Sequence, residues 1–269
     1  MRIATTLVLL LLLSANSHSA GQDVTYQVDG KPYQGYYVSP AADAPLVLLI
    51  HDWDGLTDYE VKRANMLAEL GYAVFAADLF GAGIRPTEVK DKRQHTGELY
   101  KDRAHMRKLM QAALDAAQQQ GGNTGNSLAV GYCFGGAAVL ELARSGADLK
   151  GFVTFHGGLA TPAGQDHSRT RGRLLVLHGT ADTSSTMDQY AQLAKELEQM
   201  GADTICIKDM ACLLLPYEAY ELVKELKANV KVPIHLHTHN TSGTGNMIYL
   251  KAVEAGVDIV DTALSPLGN

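Results

Sequence analysis

The stretch Gly131-Tyr132-Cys133-Phe134-Gly135 constrains this chain more than any other. It follows an apolar, strand-like run at 127–130 and opens an apolar helical run at 137–143. Glycines two before and two after the cysteine describe a strand–turn–helix of the nucleophile-elbow kind, with Cys where many hydrolases carry Ser. Such a turn strains the backbone of its central residue, and only small neighbours avoid a clash. The thiol is then expected at the top of a parallel sheet, facing a cleft. A buried Cys is more often a small hydrophobe, but its place between two glycines at this turn favours the nucleophile.

The surrounding pattern supplies that sheet. Residues 26–37 read as a hairpin or two short strands about Asp29-Gly30. The continuous apolar runs 46–50 and 73–77 suit buried parallel strands, and 151–155 and 174–177 read as two more. Between them, 60–70 has helical spacing closed by Gly71, and 99–120 reads as one long helix ended by Gly121-Gly122. Strands alternating with helices predict an α/β fold, a parallel sheet covered on both faces. Ligands in such sheets bind at the carboxyl ends of the strands. His51, Asp52, Asp78, Cys133, His156 and the run 178–182 all fall at such ends.

The chain has 269 residues, 46% of them apolar, enough for one large domain or two smaller ones. A net charge of -6 leaves no basic footprint for nucleic acid. Residues 1–20 read as a signal peptide: a basic Arg2, an apolar run to Leu13, then small and polar residues. The apolar run is below the roughly 20 residues a membrane span needs, so no stable span is expected, and the destination is the periplasm or the exterior. Three cysteines, Cys133, Cys206 and Cys212, leave at least one outside any disulfide, and Cys133 is expected to stay reduced.

Several segments, in order, resemble the dienelactone hydrolase family. They are Leu49-Ile50-His51-Asp52-Trp53-Asp54-Gly55-Leu56, the run from Arg63 to Tyr72, Ala77-Asp78-Leu79-Phe80-Gly81, the elbow, Phe155-His156-Gly157-Gly158-Leu159 and His178-Gly179-Thr180-Ala181-Asp182. The resemblance covers about residues 24–182, within a domain placed at 24–186, and implies an α/β-hydrolase fold with a Cys-His-Asp triad. It assigns Cys133 as nucleophile and Asp182 as the acid that orients the base. The backbone N–H groups of Phe134 and Trp53 would form the oxyanion hole. Asp52 stands where the family usually has a Glu that interacts with the resting thiol. His51, His156 and His178 are expected as hydrogen-bonding neighbours of the site, and Arg85 as a surface residue or a carboxylate binder. The family's catalytic histidine arrives on a glycine-bearing loop after one further strand, and after Asp182 no such loop follows.

The segment 187–269 resembles a different family, the carboxyltransferase barrel of oxaloacetate decarboxylase and pyruvate carboxylase. The carrying residues are Ala202-Asp203-Thr204-Ile205-Cys206-Ile207-Lys208-Asp209-Met210-Ala211, the run from Pro233 to Gly243, and the run from Ala252 to Ser265. That resemblance implies a divalent metal, Zn or Mn, held by a carbamylated Lys208 with His237 and His239, and biotin as the carboxyl carrier. His-x-His on a strand puts both imidazoles on one face. His235 shares that face and is expected to pack. Only three βα-type units of an eight-unit barrel are present, and the family's aspartate ligand comes from strands this segment lacks. Because both families alternate strands and helices, residues 204–207 are expected to take the place of the hydrolase's missing strand beside 174–177.

The function expected is hydrolysis of ester or lactone bonds of a small molecule by a monomer, impaired for want of the histidine and needing no cofactor. The alternatives are a fragment of a biotin-dependent carboxyltransferase or oxaloacetate decarboxylase, and an inactive chimera.

Overall fold

The computed structural model describes residues 21–177, 186–209 and 212–262. The signal-like residues 1–20, and His178 and Asp182, lie outside these.

Seven strands form the first sheet: β1 (Gln22–Val28), β2 (Lys31–Val38), β3 (Pro45–Ile50), β4 (Ala73–Ala77), β5 (Asn123–Tyr132), β6 (Gly151–Phe155) and β7 (Arg173–Leu177). Their order is β1-β2-β4-β3-β5-β6-β7. The β1–β2 hairpin turns at Asp29-Gly30, where both residues have positive φ, and lies antiparallel at one edge. From β4 to β7 all pairings are parallel. Period two of a strand sorts the continuous apolar runs into two cores. Leu46, Leu48 and Ile50 of β3, with Phe75 of β4, join one core that includes Met106 and Leu109 of α3 (Arg103–Gln119) and Ala138 and Leu142 of α4 (Phe134–Arg144). Val47 and Leu49, with Val74 and Ala76, join the other core beneath α1 (Asp58–Glu69). Apolar residues on both faces are what a covered parallel sheet demands.

The expected helix at 99–120 is two helices. α2 (Val89–Lys101) and α3 meet at Asp102, whose side chain accepts a hydrogen bond from the N–H of His105 at 2.9 Å. A side-chain acceptor at that point begins a new helix, which apolar spacing alone does not reveal.

The second sheet is separate. Strands β8 (Ile205–Asp209), β9 (Ile234–Thr238) and β10 (Ile259–Val260) lie parallel in the order β10-β9-β8. With them come α5 (Met187–Gln199), α6 (Pro216–Asn229) and α7 (Gly245–Glu254). The expectation that 204–207 extends the first sheet is therefore wrong. β8 pairs with β9, from Ile205 opposite Ile234 to Asp209 opposite Thr238. Ile205 and Ile207 share a buried face with Ile234, Leu222 and Leu226, so the barrel-like strands pair with one another. Between β7 and β8 runs an apolar cleft of about 1000 Å³, lined among others by Phe155, Leu174, Tyr190, Leu197 and Ile207.

Candidate functional site

The order of the first sheet selects one crevice. From β3 the chain runs outward to β4, then returns to β5 on the other side of β3. That reversal is a topological switch point, and the crevice lies beyond the carboxyl ends of β3 and β5. His51, Asp52 and Trp53 follow β3, and Cys133 follows β5.

Cys133 has φ 52° and ψ -114°, a conformation rarely adopted by residues with a side chain. Its N–H donates to the carbonyl of Phe155 at 2.9 Å, and its carbonyl accepts from Ala137 at 3.2 Å. The flanking glycines are required sterically. A Cβ on Gly131 would lie 2.2 Å from the carbonyl oxygen of Gly135, and one on Gly135 would lie 2.4 Å from that of His51. The second contact presses the start of α4 against the end of β3, so the loop carrying Trp53 borders the elbow. Phe134 is the first residue of α4, and the N–H groups of a first turn have no acceptor within the helix.

His51 is wholly buried. Its Nδ1–H donates to the carbonyl of Asp52 at 2.6 Å, and its Nε2 accepts from the N–H of Leu79 at 3.1 Å. Both ring nitrogens are thus committed to a neutral imidazole, and burial holds its pKa below the usual histidine range. It supports the loop. Asp52 accepts from the N–H of Asp54 at 2.8 Å, closing an Asx turn. Asp78, buried at the end of β4, accepts from the N–H groups of Gln34, Phe80 and Gly81. Arg85 lies 3.6 Å from Asp78 and donates to the carbonyl of Ile84 at 2.7 Å, so it braces this loop.

Tyr100, on α2, belongs to the site although no motif marks it. Its ring meets Phe134 edge-on at 5.5 Å. Burial, and then the nearby Cys133, push its phenol up to about 12. Phe80, which stacks on His95 at 5.3 Å, continues the wall to Phe134 at 5.6 Å. The break at Asp102 is the signal that would have separated Tyr100 from the helix behind it. His156 follows β6 at φ 56°, exposed, and its N–H donates to the carbonyl of Leu177 at 2.8 Å.

The second cluster lies on the open face of the second sheet. His237 Nε2 and His239 Nε2 are 3.1 Å apart. His237 Nδ1 pairs with Asp261 Oδ2, and His235 Nε2 is 3.0 Å from Asp261 Oδ1. These contacts to His237 first, and His235 second, hold the Asp261 carboxyl below its usual range. His235 thus lies beside Asp261 on the half-covered face, its Nε2 buried, rather than in the core, which takes Ile234 and Leu236 from β9. Lys208 lies opposite His237 in the β8–β9 register. Two converging imidazoles fit part of a metal site, and Asp261 orients one of them from behind. Among the described residues, no group of three or more His, Cys, Asp or Glu is arranged to hold an ion. The set does not fit a metal as it stands.

A model of the dienelactone hydrolase family matches residues 33–207. The chain belongs to the dienelactone hydrolase family. Two solved structures agree. The protein m3DLH is 35% identical over 68% of this chain and 78% of its own, with a TM-score of 0.65. A dienelactone hydrolase-like promiscuous phosphotriesterase from metagenomic libraries is 34% identical over the same shares, with a TM-score of 0.64. An HMGL-like model matches 160–269, overlapping the first match. A pyruvate carboxylase polypeptide of Methanocaldococcus jannaschii is 63% identical over 81 residues, 30% of this chain. Pyruvate carboxylase of Staphylococcus aureus is 56% identical over 92 residues, 34% of this chain. The chain spans only 14% and 8% of the length of those two proteins. This dienelactone hydrolase family member thus carries a segment closely similar to a carboxyltransferase.

Proposed function

We propose that the chain hydrolyses ester or lactone bonds of small molecules through Cys133, at a rate well below that of an intact triad. The observation that supports this reading is the left-handed Cys133 backbone between glycines that no side chain can replace. A thiolate there attacks the carbonyl carbon, the N–H groups of Phe134 and Trp53 hold the oxyanion, and water later releases the acyl group. Asp52 and Asp182 are the acids of this reading, Asp182 by resemblance alone. The sequence lacks the loop histidine that would take the thiol proton, and loss of a triad member costs several orders of magnitude. Action as an exported monomer belongs to the same proposal. Hydrolysis of p-nitrophenyl acetate is expected to be slow and to fall to the buffer rate in Cys133→Ala. Equal rates in the two proteins would remove Cys133 from the reaction.

The 63% identity of 81 residues to a pyruvate carboxylase polypeptide supports a second reading, a fragment of a biotin-dependent carboxyltransferase whose set of metal ligands is incomplete among the described residues. Zinc or manganese retained after dialysis and lost in Lys208→Ala would support that reading. Metal-free protein would leave this segment as an inactive appendage, the chimera reading.

A further inference from the structure

We propose that the cleft between the two sheets binds an extended peptide with alternating apolar residues, taken up as an added strand. Residues 204–207 pair with β9 rather than with β7, so β7 ends the first sheet and β8 ends the second. Among the described residues, no strand pairs with the outer edge of either. Both strands line the cleft along their whole length.

The two ladders show which main-chain groups face it. The N–H of Arg173 donates to the carbonyl of Lys150 at 3.1 Å, and the carbonyl of Leu177 accepts from His156 at 2.8 Å, so both point towards β6. In a parallel ladder successive residues turn their N–H and C=O to opposite sides, and those of Leu174 and Val176 therefore point outward. On β8 the N–H of Ile205 donates to Pro233 at 3.0 Å, and the carbonyl of Asp209 accepts from His239 at 3.3 Å. The groups of Cys206 and Lys208 are the outward ones there. Open edges of this kind are templates for another strand.

The space fits one strand. A volume of about 1000 Å³ along the five residues of β7, about 17 Å, gives a cross-section of about 60 Å². A strand within packed sheets takes about 4.8 by 10 Å, or about 50 Å². Helix α5 forms the floor: Leu193 clusters with Leu174 and Val176, and Ala194 with Ile205 and Ile207, so one helix supports both edges. Every second side chain of an added strand would meet that floor, which sets the alternating apolar pattern. Arg173 and Lys208 line the cleft together with Asp203 and Asp209, so it favours neither sign of net charge. A hydrocarbon tail would cover the leucines but leave the outward amides unpaired, a cost that main-chain pairing removes.

The test is fluorescence anisotropy of the full chain with a labelled, end-capped heptapeptide alternating valine and threonine. Saturable binding is expected. Methylating the amide nitrogens along one edge of the peptide removes its donors to one strand and keeps its apolar side chains, and affinity is expected to fall about tenfold or more. In the protein, Val176→Pro removes an outward N–H and spares the ladder to β6, as an edge strand allows, and about a fivefold loss is expected. Cys206→Pro makes the same change on β8. If neither proline variant folds by circular dichroism, the methylated peptide decides. Absence of saturable binding by the unmodified peptide would overturn the proposal. Equal affinity for the methylated peptide would also overturn it, and would mark the cleft as one for apolar ligands in general. Unchanged affinity in both folded proline variants would place the peptide elsewhere on the molecule.

Discussion

The two sheets of this molecule solve burial differently. In the first, alternate residues of each central strand enter two cores, one beneath α1 and one beneath α3 and α4. In the second, one face is packed and the other holds Cys206, Lys208, His235 and His237, all partly or fully exposed. Its helices and their approaches also expose Leu213, Leu215, Tyr217, Met247, Leu250 and Val253. The βα units of the second sheet keep their own strand pairing and a helix-side core, and the other face of their strands is left bare. Pairing within a unit is local, whereas the cover of a sheet is supplied by the whole fold.

The sharpest way to test that contrast is through acid. His167 is 1% exposed and bridges the two halves: Nε2 lies 3.2 Å from Arg144 Nη1 and 3.8 Å from Glu196, while Nδ1 meets Thr170. Burial, reinforced by Arg144, pushes its pKa down to about 4. A depressed histidine stabilises the fold above its unfolded pKa near 6.5, and that stability is lost as the pH falls through 4. The linked loss is about 3 kcal/mol. Glu141 adds to the same trend. Burial raises its carboxyl, but Arg107 and Arg144 outweigh that and hold it below the usual range. Trp53 is the single tryptophan and sits on the first sheet, so its fluorescence follows that half alone. Urea unfolding read by Trp53 is expected to lose about 3 kcal/mol of stability between pH 6.5 and 4, and His167→Gln to recover most of that loss. An unaltered acid transition in His167→Gln would mean that the first half is not held together at this bridge.

Much of this was legible in the sequence, for local reasons. The elbow, the hairpin at Asp29-Gly30 and the apolar strands β3 and β4 are set by steric demands within a few residues, and they stand where the pattern puts them. What was missed depends on distant partners. Asp102 divides a helical run because its side chain meets an N–H three residues on, which apolar period does not encode. β8 follows a run that suits the hydrolase's sheet, yet it finds a better partner some way along the chain in β9, whose Ile234 and Leu236 match its own isoleucines. His235 looked like a packing residue because strand period places it behind His237. Asp261, beyond β10, draws both onto one carboxylate. Tyr100 reached the site only through the turn of α2 against Phe134.

The smaller effect belongs to Asp261 and sharpens the comparison from the other side. Its carboxylate is held below its usual range by His237 and His235, so its contribution is present above the unfolded aspartate pKa near 3.9 and is lost as the pH falls through the lower folded value. It is exposed, so water and salt screen it, and the change is expected to be well below that at His167. Asp261→Asn is expected to leave the Trp53 transition unmoved and to lower slightly a second, Trp53-silent step seen by circular dichroism at pH 7. Once the pH has fallen through the lowered Asp261 value, the variant and wild type should converge. A shift of the Trp53 transition in Asp261→Asn would show the two sheets unfolding as one body, and the contrast between a covered and a half-covered sheet would then carry no separate stability.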